Sequence, residues 1–332
     1  MTQQSTLSPE ISAGNPILAE VVRSGFTESL HRGAVVAVAP DGEVLLSAGT
    51  TDRPMFPRSS NKPMQAAAML RCGLDLDGPL LALAAASHSG EDFHVAGARE
   101  ILAGAGLTEA DLQCPPDLPG DEPTLRRLLR AGRDADRVHM NCSGKHAAML
   151  ATCVARGWPT ASYTDPDHPL QQEIRREVER LAGEPVAATG VDGCGAPLFA
   201  ISLAGLARAF GAVVGAAPGS PERRVADAMR AHPQWTSGTS RPERALMAAV
   251  PGLLVKAGAQ GVEAFALADG RAAAFKIDDG AREARPAVTV ALLRALGADL
   301  SGLDPERLRK LASPPVYGGG REVGAIRATL PF

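Results

Sequence analysis

Strand-like patterns of hydrophobic and polar residues lie near both ends of the chain. The patterns cover residues 34–39, 43–48, 262–268, 272–277 and 322–330. Pro40-Asp41-Gly42 and Asp269-Gly270 each separate two of these runs. An Asp-Gly pair between two such runs predicts a β-hairpin. We therefore expect two hairpins and a last strand, contributed by opposite ends of the chain.

Helical patterns fill the middle of the chain. Apolar residues spaced three and four apart, or long apolar runs bounded by Gly and Pro, predict helices. The predicted helices are residues 59–72, 79–86, 95–106, 144–156, 169–182, 197–210, 221–231, 241–249 and 286–296. The expected fold mixes helices and strands (α/β in the broad sense, α+β more narrowly). One antiparallel sheet is built from both chain ends, and helices are packed on it and inserted. Residues 1–14 are expected to be flexible and residues 15–332 to form one unit.

Composition narrows the class of function. The net charge is −3 and no basic run is present, so neither nucleic acid nor a membrane is an expected partner. Residues 1–16 are polar and carry no apolar core of a signal peptide, which predicts a cytoplasmic protein. The five cysteines are an odd number without a secretory signal. They are expected to be thiols or metal ligands rather than a disulfide framework.

Lysine is scarce, and this gives weight to one short motif. Only five of the 34 cationic residues are lysine. Unlike arginine, lysine can lose its proton when it is buried or lies beside a second cation. Ser59 and Lys62 form an S-x-x-K spacing at the start of a predicted helix, where a neutral amine could activate the hydroxyl. On this motif alone, a helix-capping serine beside a solvated lysine is an equal alternative.

Three further segments concentrate residues that carry chemistry. They are Ser87-His88-Ser89-Gly90-Glu91 after an apolar helix, Cys142-Ser143-Gly144-Lys145-His146, and Asp192-Gly193-Cys194-Gly195. Cys142, Lys145 and Cys194 could together bind zinc, although small buried cysteines are the common alternative. Lys256, before a glycine in a predicted edge strand, could reach a substrate or a serine, or be simply exposed.

The ordered set of motifs resembles the rhizobial-type L-asparaginase II family. The set is R-S-x-x-K, S-H-S-G-E, C-S-G-K-H, D-G-C-G-A-P and K-A-G-A-Q-G, and it spans roughly residues 15–330. The resemblance implies a β-lactamase-like fold, related to serine β-lactamases, penicillin-binding proteins and serine glutaminases. It further implies a single catalytic unit, a homodimer, and hydrolysis of L-asparagine to L-aspartate and ammonia.

The resemblance also implies roles for individual residues. Two Ser-Lys pairs are expected, Ser59 with Lys62 and Lys256 with a serine of the S-H-S segment. Ser87 is preferred for that serine and Ser89 stays open, as does the choice of the covalent nucleophile. The implied zinc ligands are Cys142, Lys145 and Cys194, and the residues implied around the substrate are Arg58, His146, Asp192 and Ser89.

Three other functions stay open at this point. A β-lactamase or peptidase shares the S-x-x-K spacing, but the chain has no S-D-N segment, and its K-A-G lacks the hydroxyl residue of K-T-G. A serine glutaminase would use the same chemistry on glutamine. A protein of a different class, an inactive zinc-binding scaffold, would have no need of both serines.

Overall fold

An antiparallel sheet of eight strands is built from both ends of the chain, as predicted. The computed structural model describes residues 14–332, so the predicted flexible segment lies outside the described residues except for Gly14. The strands are β1 (Ile17–Arg23), β2 (Phe26–Val38), β3 (Val44–Ala48), β4 (Pro54–Met55), β5 (Ala188–Val191), β6 (Pro197–Ser202), β7 (Leu254–Ala257), β8 (Val262–Ala266), β9 (Ala272–Ile277), β10 (Pro315–Gly318) and β11 (Arg321–Ala328). The large sheet has the order β10-β11-β1-β2-β9-β8-β7, with β3 paired to β2.

Twelve α-helices accompany the strands within residues 14–332. They are α1 (Lys62–Arg71), α2 (Gly78–Ala84), α3 (Asp92–Gly104), α4 (Glu122–Arg130), α5 (Ser143–Arg156), α6 (Pro169–Ala182), α7 (Leu203–Gly215), α8 (Pro221–Ala231), α9 (Pro233–Thr236), α10 (Pro242–Ala249), α11 (Arg285–Ala295) and α12 (Pro305–Ala312). Both predicted hairpins are present, as β2–β3 and β8–β9. Strand β1, helix α4 and a small sheet of β4, β6 and β5 were not predicted.

Helix α7 covers one face of the large sheet and links it to the helical region. It packs against β2, β8 and β9, and it buries Leu206, Phe210 and Val213. At about 25 cal/mol per Å² of apolar surface, each such side chain contributes about 2 kcal/mol by leaving water. This packing joins the two chain ends to the middle of the sequence.

The single helix predicted over residues 197–210 is wrong. Residues Pro197–Ser202 form the buried strand β6, and the helix α7 begins only at Leu203. Ser202 ends the strand and caps the helix, because its hydroxyl accepts a hydrogen bond from the Gly205 N–H. A continuous apolar run has no period that separates a buried strand from a buried helix, so the boundary could not be read from the pattern.

None of the helices described in residues 14–332 combines the length and the apolar character needed to cross a membrane.

Candidate active site

A cavity of about 380 Å³ opens where the helical region meets β7 at the edge of the large sheet. Six chain segments supply most of its wall. They are the turn before α1 (Arg58, Ser59), the segment after α2 (Ser87, His88), the residues before α5 (Met140, Asn141, Cys142), the β5–β6 turn (Asp192, Gly193, Cys194), the start of α10 (Arg241, Glu243) and the end of β7 with the residues after it (Lys256, Ala257, Gly258, Ala259). All five predicted motifs therefore contribute residues to the wall of one cavity.

Ser59 lies in a tight turn pressed against the end of β7. The turn is a 3₁₀ helix, Arg58–Asn61, that leads directly into α1. Arg58 has a φ of 52°, a left-handed conformation that costs a non-glycine residue backbone strain. Gly258 permits the close approach, because a Cβ there would lie 2.6 Å from the Pro57 carbonyl oxygen. Within residues 14–332, neither the Ser59 N–H nor the Ala259 N–H has a hydrogen-bond partner.

Lys62 is fully buried at the start of α1. The Nζ donates to the Ala86 carbonyl, to Ser87 Oγ at 3.0 Å and to Cys142 Sγ at 3.0 Å. No hydrogen bond joins the Lys62 amine to the Ser59 hydroxyl in the described part of the chain. Ser59 and Lys62 are one turn apart, because the Lys62 N–H donates to the Ser59 carbonyl where the 3₁₀ turn runs into α1.

Ser87 lies between two lysines. Its Oγ is 3.0 Å from Lys62 Nζ and 2.9 Å from Lys256 Nζ. The Ser87 main-chain N–H donates to the Thr236 carbonyl, which fixes the segment against α9. One hydroxyl thus connects α1 to β7, two elements that are far apart in sequence.

Lys256 is buried on β7 rather than exposed at the sheet edge. Only 3 % of the residue is accessible to solvent, and its Nζ also donates to the Ala257 carbonyl at 2.8 Å. Burial, together with the positive charge of Lys62, lowers the pKa of Lys256 to about 7, against an opposing contribution from Glu243. The amine therefore loses its proton within the physiological pH range.

Ser89 faces a different set of partners. Its hydroxyl donates to Glu91 Oε1 at 2.7 Å, and the same carboxylate accepts hydrogen bonds from the N–H and hydroxyl of Thr239. Ser89 is buried and does not line the cavity. Of the two serines in the S-H-S segment, only Ser87 contacts Lys256.

Two thiols and a lysine amine lie together beside the serines. Cys142, Lys145 and Cys194 are all nearly inaccessible to solvent, and Lys145 Nζ donates to Cys194 Sγ at 3.0 Å. A hydrogen bond from Cys142, and then the charge of Lys145, lower the pKa of Cys194 far below that of a free thiol, against the effect of burial. The pKa of Cys142 is raised, because it donates to Cys194 and is itself buried. Cys194 is therefore the thiolate of the pair.

The same three side chains suit a zinc ion. Zinc prefers thiolate sulfur and neutral nitrogen, and it is usually four-coordinate. A further nitrogen, His146 Nε2, is buried beside Cys194. Within those residues, no three His, Cys, Asp or Glu side chains form a metal-binding group by themselves. Lys145 would supply the third donor beside the two thiols.

The remaining predicted site residues flank the cysteines. Arg58 Nε donates to Asp192 Oδ1 at 2.8 Å, and Asp192 Oδ2 lies 3.8 Å from Cys194 Sγ. His146 Nδ1 lies 2.7 Å from the Tyr163 hydroxyl, and that hydroxyl accepts a hydrogen bond from the Gln113 N–H. Arg58 and Asp192 line the cavity, whereas His146 lies behind Cys194.

Sequence reasoning missed four charged residues around Lys256. Arg285 Nη1 lies 3.5 Å from Glu263 Oε2 and 3.8 Å from Glu243 Oε1, and Arg241 is at the cavity wall. Burial raises the pKa of Glu263 to about 7, while Arg285 opposes the change. Arginine and glutamate are frequent in this chain, so none of the four stood out. Of the four, only Glu263 interrupts an apolar run, that of the buried strand β8, and this interruption is a signal in the sequence.

Ser87 lies between two buried lysines at the wall of a cavity on a mixed α/β fold, an arrangement that fits a hydrolase. The particular family follows from the whole sequence: residues 19–328 match the L-asparaginase II family, and the chain belongs to it. The resemblance drawn from the five motifs is confirmed. No curated protein matches the chain.

Several solved structures are similar to the chain at low sequence identity. A β-lactamase from Mycobacterium bovis shares 16 % identity over 79 % of this chain and 94 % of that chain, with a TM-score of 0.43. Mglu in its native form shares 14 % identity over 87 % of this chain and 66 % of that chain, with a TM-score of 0.45. EstCE1, a hydrolase with promiscuous acyltransferase activity, shares 13 % identity over 84 % and 93 %, with a TM-score of 0.38. All three TM-scores lie below 0.5, so these likenesses assign neither substrate nor mechanism to this chain.

Proposed function

We propose that the protein is an L-asparaginase that hydrolyses the side-chain amide of L-asparagine to L-aspartate and ammonia. The observation that carries the proposal is Ser87 Oγ, which contacts the amines of both Lys62 and Lys256 at the wall of a cavity that also exposes Ser59. A hydroxyl becomes a nucleophile or a proton carrier when a neutral amine can take its proton. Family membership supports an amide substrate.

Ser59 is the nucleophile in this proposal. An acyl-transfer enzyme needs backbone N–H donors beside the attacked carbonyl, and one of them is commonly the N–H of the nucleophile itself. The N–H of Ser59 has no partner in residues 14–332, and neither has that of Ala259 across the Gly258 contact. The N–H of Ser87 is already bonded to the Thr236 carbonyl. Ser59 and Ala259 would therefore hold the oxyanion.

Lys62, Ser87 and Lys256 then form a proton relay. The Ser59 oxygen attacks the amide carbon and transfers its proton to Lys62. At the same time Lys62 donates a proton to Ser87, and Ser87 donates its own proton to neutral Lys256. The C–N bond breaks when the relay returns a proton to the departing nitrogen, and ammonia leaves. In the second half, water attacks the aspartyl ester and gives a proton to the relay, and Lys62 returns a proton to the Ser59 oxygen as the ester C–O bond breaks and aspartate leaves. The Ser59–Lys62 contact would form on substrate binding, since catalytic hydrogen bonds are often long in the free enzyme.

A zinc ion would lie beside this relay and would take no part in its proton transfers. Cys142, Lys145 and Cys194 would hold the ion, and a bound zinc would supply Lewis acidity close to the cavity. Arg58 pairs with Asp192 and would shape the wall at this end, with His146 behind Cys194. The homodimer and the cytoplasmic location stay predictions, and light scattering would measure the former.

The test is ammonia release from asparagine and glutamine by wild type, Ser59→Ala and Ser87→Ala. We expect both variants to lose at least about 10³-fold in kcat, as residues acting as one unit do. Ser60→Ala is the matched control, because the Ser60 hydroxyl donates to the Pro57 carbonyl and does not line the cavity. The kcat of Ser60→Ala should stay within about tenfold of wild type, because the net free energy of one hydrogen bond corresponds to at most about that factor. Full activity in Ser59→Ala, or turnover of glutamine alone, would overturn the proposal.

A further inference from the structure

The cavity wall contains two opposite charges whose side chains make no hydrogen bond within residues 14–332. Arg241 and Glu243 lie at the start of α10, and both line the cavity. In the described part of the chain, the Arg241 guanidinium donates no hydrogen bond, and no donor reaches either oxygen of Glu243 within hydrogen-bond distance. The nearest cation to Glu243 in the described residues is Arg285, whose Nη1 lies 3.8 Å from Glu243 Oε1. By contrast, Arg58 and Asp192 on the opposite wall satisfy each other at 2.8 Å.

A carboxylate in the position of Glu243 is costly without a donor. Its side chain is only 10 % exposed, and Oε2 is buried with no hydrogen-bond partner in the described residues. A buried charged group without hydrogen bonds is destabilising unless something else satisfies it. Glu243 lines the cavity, and its other oxygen, Oε1, is the one that can accept a hydrogen bond from a ligand.

We propose that Arg241 binds the α-carboxylate of the substrate and that Glu243 binds its α-ammonium group. This inference rests on the proposed asparaginase function. An ammonium group has three N–H donors for the carboxylate oxygens, and a guanidinium offers a planar fork that matches a carboxylate. Both charges sit on one wall, two residues apart, while the serines line another part of the cavity. The amino-acid head of asparagine would then be held at α10 and its side-chain amide would extend toward Ser59.

The experiment removes one charge from the protein and the matching charge from the substrate. The substrates are L-asparagine, succinamate, which lacks the α-ammonium group, and 3-aminopropanamide, which lacks the α-carboxylate. We would measure kcat/KM from ammonia release for wild type, Glu243→Gln and Arg241→Gln. Where a truncated amide is turned over too slowly, inhibition by L-aspartate, succinate and β-alanine gives the same comparison.

Glu243→Gln should lower kcat/KM for asparagine and 3-aminopropanamide, and leave succinamate nearly unchanged. Arg241→Gln should lower it for asparagine and succinamate, and leave 3-aminopropanamide nearly unchanged. The expected losses are on the order of 10- to 100-fold, the range of a hydrogen bond to a charged group. Arg241→Lys keeps the charge and should recover part of the loss. Because Glu243 also acts on the pKa of Lys256, the ratios between substrates are compared at several pH values rather than the rates themselves.

Arg282→Gln is the matched control, since Arg282 also lines the cavity but is exposed at its rim. It should keep the wild-type ratios, and thermal melts would establish that each variant is folded. Equal losses on all three substrates in Glu243→Gln and Arg241→Gln, or a selective loss in Arg282→Gln instead, would overturn this inference and leave the asparaginase function standing. If wild type releases no ammonia from asparagine, the proposed function fails and this inference fails with it.

Discussion

Replacing Lys256 by methionine should change how the stability of the protein depends on pH. The amine is buried on β7, contacts Ser87 and is near the positive charge of Lys62. Its pKa falls from an ordinary value of 10.5 to about 7, chiefly because burial disfavours the charged form. Methionine has a similar length and no charge, so the variant removes the titration and keeps most of the packing.

The size of the effect follows from the difference between the two pKa values. One pKa unit corresponds to about 1.36 kcal/mol, so burying protonated Lys256 costs about 5 kcal/mol at low pH. Between about pH 7 and pH 10, the unfolded chain binds this proton and the folded protein does not. Stability therefore rises with pH in this window and the cost is relieved. Going from pH 7 to pH 9 should stabilise wild type relative to Lys256→Met by about 2 kcal/mol.

The assay is urea denaturation of both proteins at pH 6, 7, 8 and 9, followed as a difference in the free energy of unfolding. Lys310→Met is the control for losing a lysine, because Lys310 is half-exposed on α12 far from the cavity. The groups that act on Lys256 are Lys62, Glu243, Cys142 and Arg285, and all remain in the variant.

Glu263 is the one neighbour that titrates in the same range, with its pKa raised to about 7 by burial. Removing the charge of Lys256 would raise that pKa further, which adds to the expected difference with the same sign. Repeating the comparison in a Glu263→Gln background removes this contribution. If the stability difference between wild type and Lys256→Met stays constant from pH 6 to pH 9, the amine is not a buried base and the reasoning is refuted.

Three other outcomes follow from the same geometry. The kcat/KM of wild type should fall about tenfold per unit below pH 7, because protonated Lys256 cannot accept the relay proton; a flat profile between pH 5 and pH 8 would contradict this. Cys194→Ala should bind zinc at least about tenfold more weakly in competition with a chromophoric chelator, whereas Cys153→Ala, another buried thiol, should bind it as wild type does. Gly258→Ala should lower kcat by about 10²-fold, because its Cβ would lie 2.6 Å from a carbonyl of the Ser59 turn, while Gly104→Ala meets open space and should not.

Much of the fold was accessible from the sequence because its signals are local. The α6 boundaries, Pro169–Ala182, coincide with the predicted helix, whose proline start and following Gly183 mark both ends. The β8–β9 hairpin is likewise marked by its Asp-Gly turn. The β6–α7 segment was misread because a fully buried strand and a buried helix share one apolar composition. Strand β1 was missed for a different reason: it pairs with β11, which comes from the other end of the chain, and local sequence carries no signal of that pairing.

The motifs predicted residues that line one cavity, but they did not predict the contacts between those residues. Motifs identified both serines and three lysines, yet they suggested two separate Ser-Lys pairs. The structure instead brings Lys62 and Lys256 to the same hydroxyl, Ser87 Oγ, across 25 and 169 positions of sequence. Spacing within a motif carries no information about such a convergence. For Arg241 and Glu243, neither residue type nor spacing distinguishes them from the many surface ion pairs of the chain.

The scarcity of lysine was the most informative feature of the composition, and the structure gives it a physical meaning. Three of the five lysines, Lys62, Lys145 and Lys256, are almost completely buried at this site. A guanidinium keeps its proton in proteins, so it could neither accept the relay proton nor bind a metal through a lone pair. Lys256→Arg therefore separates charge from basicity: it keeps a cation near Ser87 and removes the group that can be neutral. We expect it to be as inactive in ammonia release as Lys256→Met, and an active Lys256→Arg would mean that the site needs only the positive charge.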